Sequence, residues 1–176
     1  MKKKIVFFDG DGTLWYPKKT KYTKLAHWIY DLPGGYKEHM NHLMLIPGAL
    51  SVLKKLKKMG IITVLLSTHP HPIEEAEVII NHKVEHFNLK NLFDEFYATR
   101  PHDGSKGEFM VKILKRLKIP KSKALMVGDN VPWDYQSAKR VGIDALLIFP
   151  EFRKDDIRFK RIKKKIKKLD EVLEFV

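Results

Sequence analysis

The sequence predicts an α/β protein: a three-layer, doubly wound parallel sheet with a small flap and no full cap domain. Three observations carry the prediction. Five short apolar runs recur along the 176 residues, segments with helical period separate them, and the first run stops abruptly at a pair of acids. Such a length suits one domain with a substantial core, so residues 1–176 are read as a single unit.

The first run, Ile5–Phe8, is β-prone and ends at Asp9-Gly10-Asp11-Gly12-Thr13. A buried strand thus delivers two carboxylates to a sheet edge, where the chain must turn tightly. Residues 15–46 fit the alternation poorly. They are rich in aromatic residues, contain Pro33-Gly34-Gly35 and show no clean period, which marks a flap over the strand ends. Pro47-Gly48 opens a helix with Ala49, Leu53, Leu56 and Met59 on one face, and Gly60 closes it. The second strand is Ile61–Leu66. Pro72 opens the next helix, with Ile73, Ala76, Ile80, Val84 and Phe87 in register and Glu74, Glu75 and Glu77 in its first turns, matching the positive end of the dipole. Phe93–Tyr97 is the third strand. Ser105 with Glu108 three residues on forms a capping box before the third helix. Ala124–Val127 is the fourth strand, a short helix follows Asp134 and stops at Gly142, and Asp144–Ile148 is the fifth strand. The basic segment 151–176 reads as a short strand or turn and then a helix through Leu169, Val172, Leu173 and Phe175, with Lys163–Lys168 as a solvated face.

Composition narrows the chemistry. There is no cysteine, so disulfides and thiolate metal sites are excluded. The amino-terminal apolar run is too short for a signal-peptide core, and no segment is long enough to span a membrane, so a cytoplasmic protein is expected. The net charge of +13 attracts anions. Only +4 of it lies in residues 151–176, so the bias is diffuse. With a single glutamine, Gln136, the composition resembles lysine-rich, heat-adapted surfaces, which is favoured over nucleic-acid binding.

In such a sheet, ligands bind outside the carboxyl ends of the strands. The second strand leads into Ser67-Thr68, the fourth into Gly128-Asp129-Asn130 with Asp134 five residues past Asp129, and Lys106 begins the third helix. The fold would bring these ends to one side. Asp9, Asp11, Asp129 and Asp134 cannot all ionise together without a countercharge, and a hard divalent cation such as Mg²⁺ supplies one. A neutral hydroxyl at Ser67 and the Lys106 ammonium suit phosphoryl oxygens.

These residues resemble the haloacid dehalogenase superfamily, whose four motifs appear in order as Asp9-Gly-Asp11-Gly-Thr13, Ser67, Lys106 and Gly128-Asp129-x₄-Asp134. The resemblance covers roughly residues 5–150 and implies that family's Rossmann-like fold. Trp15 after Thr13-Leu14, with Gly104-Ser105-Lys106, is similar to its small, capless magnesium-dependent phosphatases. By resemblance, Asp9 is the nucleophile that carries an aspartyl-phosphate and Asp11 is the general acid and base. Asp9 and Asp129 would bind Mg²⁺ by side chain, Asp11 by its carbonyl, and Asp134 directly or through water. Ser67, Lys106 and Thr13 would hold the phosphoryl group. Many relatives carry the lysine in a Lys-Pro pair; here that pair reads Arg100-Pro101, so Arg100 is an alternative cation.

Dehalogenases of the superfamily lack the second aspartate and its ion pumps have threonine there, so Asp11 favours a phosphatase or mutase. The chain has little room for the cap a mutase needs. A phosphatase acting on phosphate monoesters is therefore expected, with a phosphorylated substrate that an open site allows to be bulky, or with closure by another subunit. Trp15, Tyr16, Thr68, His69, Asn130 and Trp133 are candidate substrate contacts by adjacency; Trp28 and Tyr30 read as flap packing. The histidine pairs His69/His71 and His82/His86 read as ordinary packing or surface groups. A metal-dependent nuclease and a receiver-like phosphoacceptor domain are the alternatives.

Overall fold

A computed structural model describes residues 2–21, 29–30, 32–69, 71–99, 105–149 and 157–176. In chain order the strands are β1 (Ile5–Phe8), β2 (Trp15–Pro17), β3 (Leu43–Leu45), β4 (Ile62–Thr68), β5 (Glu95–Thr99), β6 (Ala124–Gly128), β7 (Asp144–Ile148) and β8 (Lys165–Ile166). The helices are α1 (Tyr36–His39), α2 (Ala49–Lys58), α3 (Ile73–His86), α4 (Lys106–Arg116), α5 (Ser137–Arg140) and α6 (Ile157–Lys160). A π-helical turn, Val131–Gln136, leads directly into α5, and a 3₁₀ helix, Leu169–Phe175, lies near the end.

Six strands form one parallel sheet in the order β5-β4-β1-β6-β7-β8, so the chain winds outward in both directions from β1. Both faces are covered, which is why β1 reads as unbroken apolar residues rather than as an alternation. On one face Val6, Phe8 and Leu65 pack with α2, α3 and the carboxy-terminal Leu169 and Val172. On the other, Ile5, Phe7, Val64 and Leu66 pack with Met110, Ile113 and Leu114 of α4 and Ala138 of α5. No helix among the described residues is long and apolar enough to cross a membrane.

Several boundaries differ from the sequence reading for identifiable reasons. β5 begins at Glu95, two residues past the expected start, because Leu92 and Phe93 close a turn on the Leu89 carbonyl and Phe93 packs edge-on to Phe8. β4 runs on through Ser67 and Thr68, which pair with Ala98 and Thr99. The helical segment after β6 starts at Val131, before Asp134, since the Asn130 side chain accepts the Trp133 amide at 3.2 Å and caps it. The lysine run is more than a solvated face: Lys165-Ile166 is the edge strand β8 beside β7. A lysine-bearing edge resists further strand pairing.

Residues 15–46 contain an antiparallel pair, β2 with β3, in register Trp15–Leu45, Tyr16–Met44 and Pro17–Leu43. Trp28, Arg100 and Gly104 lie outside the described residues.

Candidate active site

The carboxyl ends of β1, β4 and β6 meet where the winding direction reverses. Asp9 is the first residue past β1; its amide donates to the Val127 carbonyl at 2.9 Å, so the sheet ladder fixes where this carboxylate emerges. The chain then turns back on itself. The Gly10 carbonyl accepts the amides of Thr13 and Leu14 at 3.1 and 2.8 Å. Gly12 has φ +83°, and a Cβ there would stand 2.6 Å from Asp129 Oδ2. Only glycine lets this loop approach the Asp129 carboxylate so closely.

Lys106 occupies the first turn of α4. Ser105 accepts the Glu108 amide at 3.2 Å and Glu108 accepts the Ser105 amide at 3.2 Å, which is the capping box expected from the sequence. This cap sets the helix start, and the buried Lys106 ammonium bridges Asp9 Oδ1 at 2.5 Å and Asp134 Oδ1 at 2.7 Å. Asp134 is itself fully buried and accepts the Asn130 amide at 2.9 Å. Asp9, Asp129 and Asp134 offer one ligand oxygen each, all within 4.8 Å of one another. A Cβ on Gly128 would fall 2.2 Å from Asp134 Oδ2, so this glycine makes room for the third carboxylate.

Three buried carboxylates face one ammonium here. Burial raises Asp9, Lys106 lowers it, Asp134 and Asp11 raise it again, and the net result is a carboxyl pushed up to about 7. Burial pulls Lys106 down, but the Asp134 and Asp9 carboxylates outweigh it and hold the ammonium above its ordinary value. The direction at Lys106 is decisive, because a lysine bonded to two carboxylates at these distances stays charged at neutral pH. Burial is the larger cause of the push on Asp9, with the neighbouring Asp134 and Asp11 adding to it, and a second cation would offset both. All-oxygen, buried and carboxylate-rich, this donor set fits Mg²⁺.

Around the acids stand unpaired hydroxyls. Ser67 Oγ and Thr13 Oγ1 are buried and have no protein partner. Ser67 lies against Gly10, where a Cβ would come within 2.9 Å of its oxygen. Buried hydroxyls without partners cost free energy unless something accepts or donates to them.

Asp11 is held differently from the other acids. Trp15 Nε1 donates to its Oδ1 at 3.0 Å and Lys83 Nζ donates to its Oδ2 at 2.7 Å. His69 Nε2 is 3.6 Å from Oδ2 and 3.3 Å from Lys83 Nζ. Lys83 is wholly buried, with its ammonium 5.5 Å from the Trp15 ring centroid and 5.3 Å from that of Tyr30. Burial lowers Lys83 and Asp11 raises it, leaving it below the ordinary lysine value.

The structure therefore gathers Asp9, Asp11, Thr13, Ser67, Lys106, Asp129 and Asp134 at one sheet end. The candidate substrate contacts separate. Trp15 is fully buried, stacked on Phe87 and bonded to Asp11. Tyr16 is also buried. Thr68 is tied to Thr99, hydroxyl to hydroxyl at 2.9 Å, across β4 and β5. His69 is buried beside Asp11, and Asn130 serves as a cap. Trp133 alone of this group is exposed, at 39% of its surface. His71 joins Tyr30, Tyr36 and His69 in edge-to-face or tilted ring contacts.

Lys83 went unrecognised in the sequence, although a signal existed. Ala76, Ile80 and Phe87 form a helical stripe into which position 83 falls, so a lysine there interrupts a core face.

Residues 22–142 match the family model described as haloacid dehalogenase-like hydrolase. A glyceraldehyde 3-phosphate phosphatase from Pyrococcus furiosus is 28% identical over 121 residues, 68% of this chain and 48% of that protein. The chain spans about half the length of the curated relatives it matches. Among solved structures, a HAD phosphatase from Thermococcus onnurineus superimposes with TM-score 0.69 at 21% identity, covering 99% of this chain and 97% of that one. A haloacid dehalogenase-like family protein from Streptococcus pneumoniae gives TM-score 0.71 at 16% identity, covering 98% of each chain.

Proposed function

Because the chain belongs to the haloacid dehalogenase-like hydrolases, we propose that it is a Mg²⁺-dependent phosphatase acting on phosphate monoesters through an aspartyl-phosphate on Asp9. The observation that carries this reading is the setting of Asp9: a buried carboxylate bonded to Lys106, beside two other buried carboxylates and the unpaired Ser67 hydroxyl. The names of the two Pyrococcus relatives, both glyceraldehyde 3-phosphate phosphatases, support a monoester substrate.

The steps follow from the chain's own groups. An Asp9 oxygen attacks phosphorus and the bond to the leaving oxygen breaks. Asp11 gives its proton to that oxygen, so the alcohol departs neutral. Asp11, now ionised, takes a proton from water, and the resulting hydroxide attacks the phosphorus of the aspartyl-phosphate. Inorganic phosphate leaves and Asp9 is restored. Ser67, Thr13 and Lys106 hold the nonbridging oxygens; Lys106 exchanges a carboxylate for a phosphoryl oxygen without losing its charge. Mg²⁺ would be held by Asp9, Asp129, the Asp11 carbonyl and, directly or through water, Asp134, and it supplies neutralisation of the charge gathered there.

The direct experiment is hydrolysis of p-nitrophenyl phosphate with and without Mg²⁺, alongside Asp9→Asn. Mg²⁺-dependent release that EDTA abolishes, and that Asp9→Asn lowers at least about a hundredfold, is expected. Full activity in Asp9→Asn rejects the mechanism. Plasmid cleavage without phosphate release would instead indicate the nuclease.

A further inference from the structure

A lysine on the buried face of a helix needs a reason. Lys83 projects from α3 with no exposed surface, at a position where an apolar residue would continue the stripe. Its stem lies within the core, and its ammonium emerges at the loop that follows β1. Asp11 Oδ2 is 2.7 Å away and His69 Nε2 is 3.3 Å away, with the rings of Trp15 and Tyr30 on its flanks. Four residues from three stretches of the chain therefore converge on this one group. The opposite oxygen of Asp11 accepts the Trp15 indole N–H at 3.0 Å.

From this geometry we infer that Lys83 is a positioning residue for the proposed acid and base, clamping Asp11 together with Trp15 so that its carboxylate keeps one orientation through both halves of the reaction. Each oxygen of Asp11 is held by a donor from a different element, so rotating the carboxylate breaks both bonds at once. The 18% of the Asp11 side chain that stays exposed is then the part left to meet a leaving oxygen or a water. The other lysine of the site, Lys106, touches Asp9 and Asp134, so the two ammonium groups divide the acids between them. The inference rests on the phosphatase reading above but concerns a residue outside the four motifs.

Leaving-group dependence separates positioning from packing. An aryl phosphate expels a stable anion and needs little help from an acid, whereas an alkyl phosphate needs the proton; both need the base for breakdown of the phosphoenzyme. Lys83→Met keeps the unbranched stem and removes the charge. Rapid-mixing kinetics with p-nitrophenyl phosphate should show a burst of nitrophenolate approaching one equivalent of enzyme, followed by turnover slowed about a hundredfold with kcat/KM little altered. With an alkyl phosphate the same variant should show no burst and a larger loss in kcat/KM. Lys83→Gln, which retains a donor, should recover part of the loss and provides the reading if Lys83→Met does not fold. Equal losses for aryl and alkyl substrates in the folded variant, or unaltered rates, overturn the inference. Failure of wild-type protein to label Asp9 would instead reject the phosphatase reading, so the two outcomes are distinguishable.

Discussion

Gly107, one residue past the bridging lysine, offers a test in which stability and activity should part. Its amide donates to Ser137 Oγ at 2.7 Å, and a Cβ at this position would stand 2.3 Å from the Ser137 carbonyl oxygen, where ordinary contact begins at 3.4 Å. Gly107→Ala must therefore push the start of α4 away from α5 by about 1 Å. Overpacking of this kind costs about 1–3 kcal/mol, and exchanging glycine for alanine within a helix returns about 1 kcal/mol. The net loss is then at most about 2 kcal/mol, a few degrees in Tm for a chain of this size. Activity should suffer more. Lys106 sits on the displaced turn and holds Asp9 and Asp134 at 2.5 and 2.7 Å, so a shift of that size should lower kcat about a hundredfold. Circular-dichroism melting and steady-state hydrolysis by the same preparation measure both. A folded variant that turns over at the parental rate would show that the Lys106 bridge does not govern the reaction.

Two further outcomes follow from the same charges. Asp9 titrates higher in the folded protein than in the unfolded chain, so the metal-free native state binds the extra proton between about pH 4 and about pH 7. Its contribution to stability consequently falls as pH rises through that window. Mg²⁺ competes with the proton, and its thermal stabilisation should be larger at pH 8 than at pH 5; at a hundredfold excess over Kd it amounts to about 2.7 kcal/mol. Asp129→Asn should largely remove the shift, and a melting temperature indifferent to Mg²⁺ at pH 8 would contradict the proposed metal site. Trp15→Phe should keep the stacking on Phe87 but lose the N–H bond to Asp11, costing about 1–2 kcal/mol of stability and at least about tenfold in kcat. Parental kcat would show that the indole only packs.

What the sequence revealed divides along physical lines. Strands buried on both faces announce themselves as apolar runs, so β1, β6 and β7 were legible, and Asp144–Ile148 agrees residue for residue. The family was legible too, because its acids and lysine keep fixed spacings along the chain. Less legible was anything decided by tertiary contact. Phe93 belongs to a turn whose form depends on Leu89 and Val84 carbonyls, which apolarity alone does not reveal. The orientation of Trp15 depends on Asp11 and Phe87, which adjacency to the acidic loop does not reveal. Lys83 was hidden most completely: its partner lies 72 positions away, and only the mismatch with its helical stripe pointed inward.

The proposal as a whole depends on phosphorus becoming covalently bonded to Asp9. Acid quenching during turnover of p-nitrophenyl phosphate with Mg²⁺, followed by mass spectrometry of the peptide containing Asp9, observes that bond directly. A phosphoryl group on Asp9 that accumulates in Asp11→Asn and is absent from Asp9→Asn is the expected result. Steady turnover with the Asp9 peptide unmodified in both wild type and Asp11→Asn would contradict it.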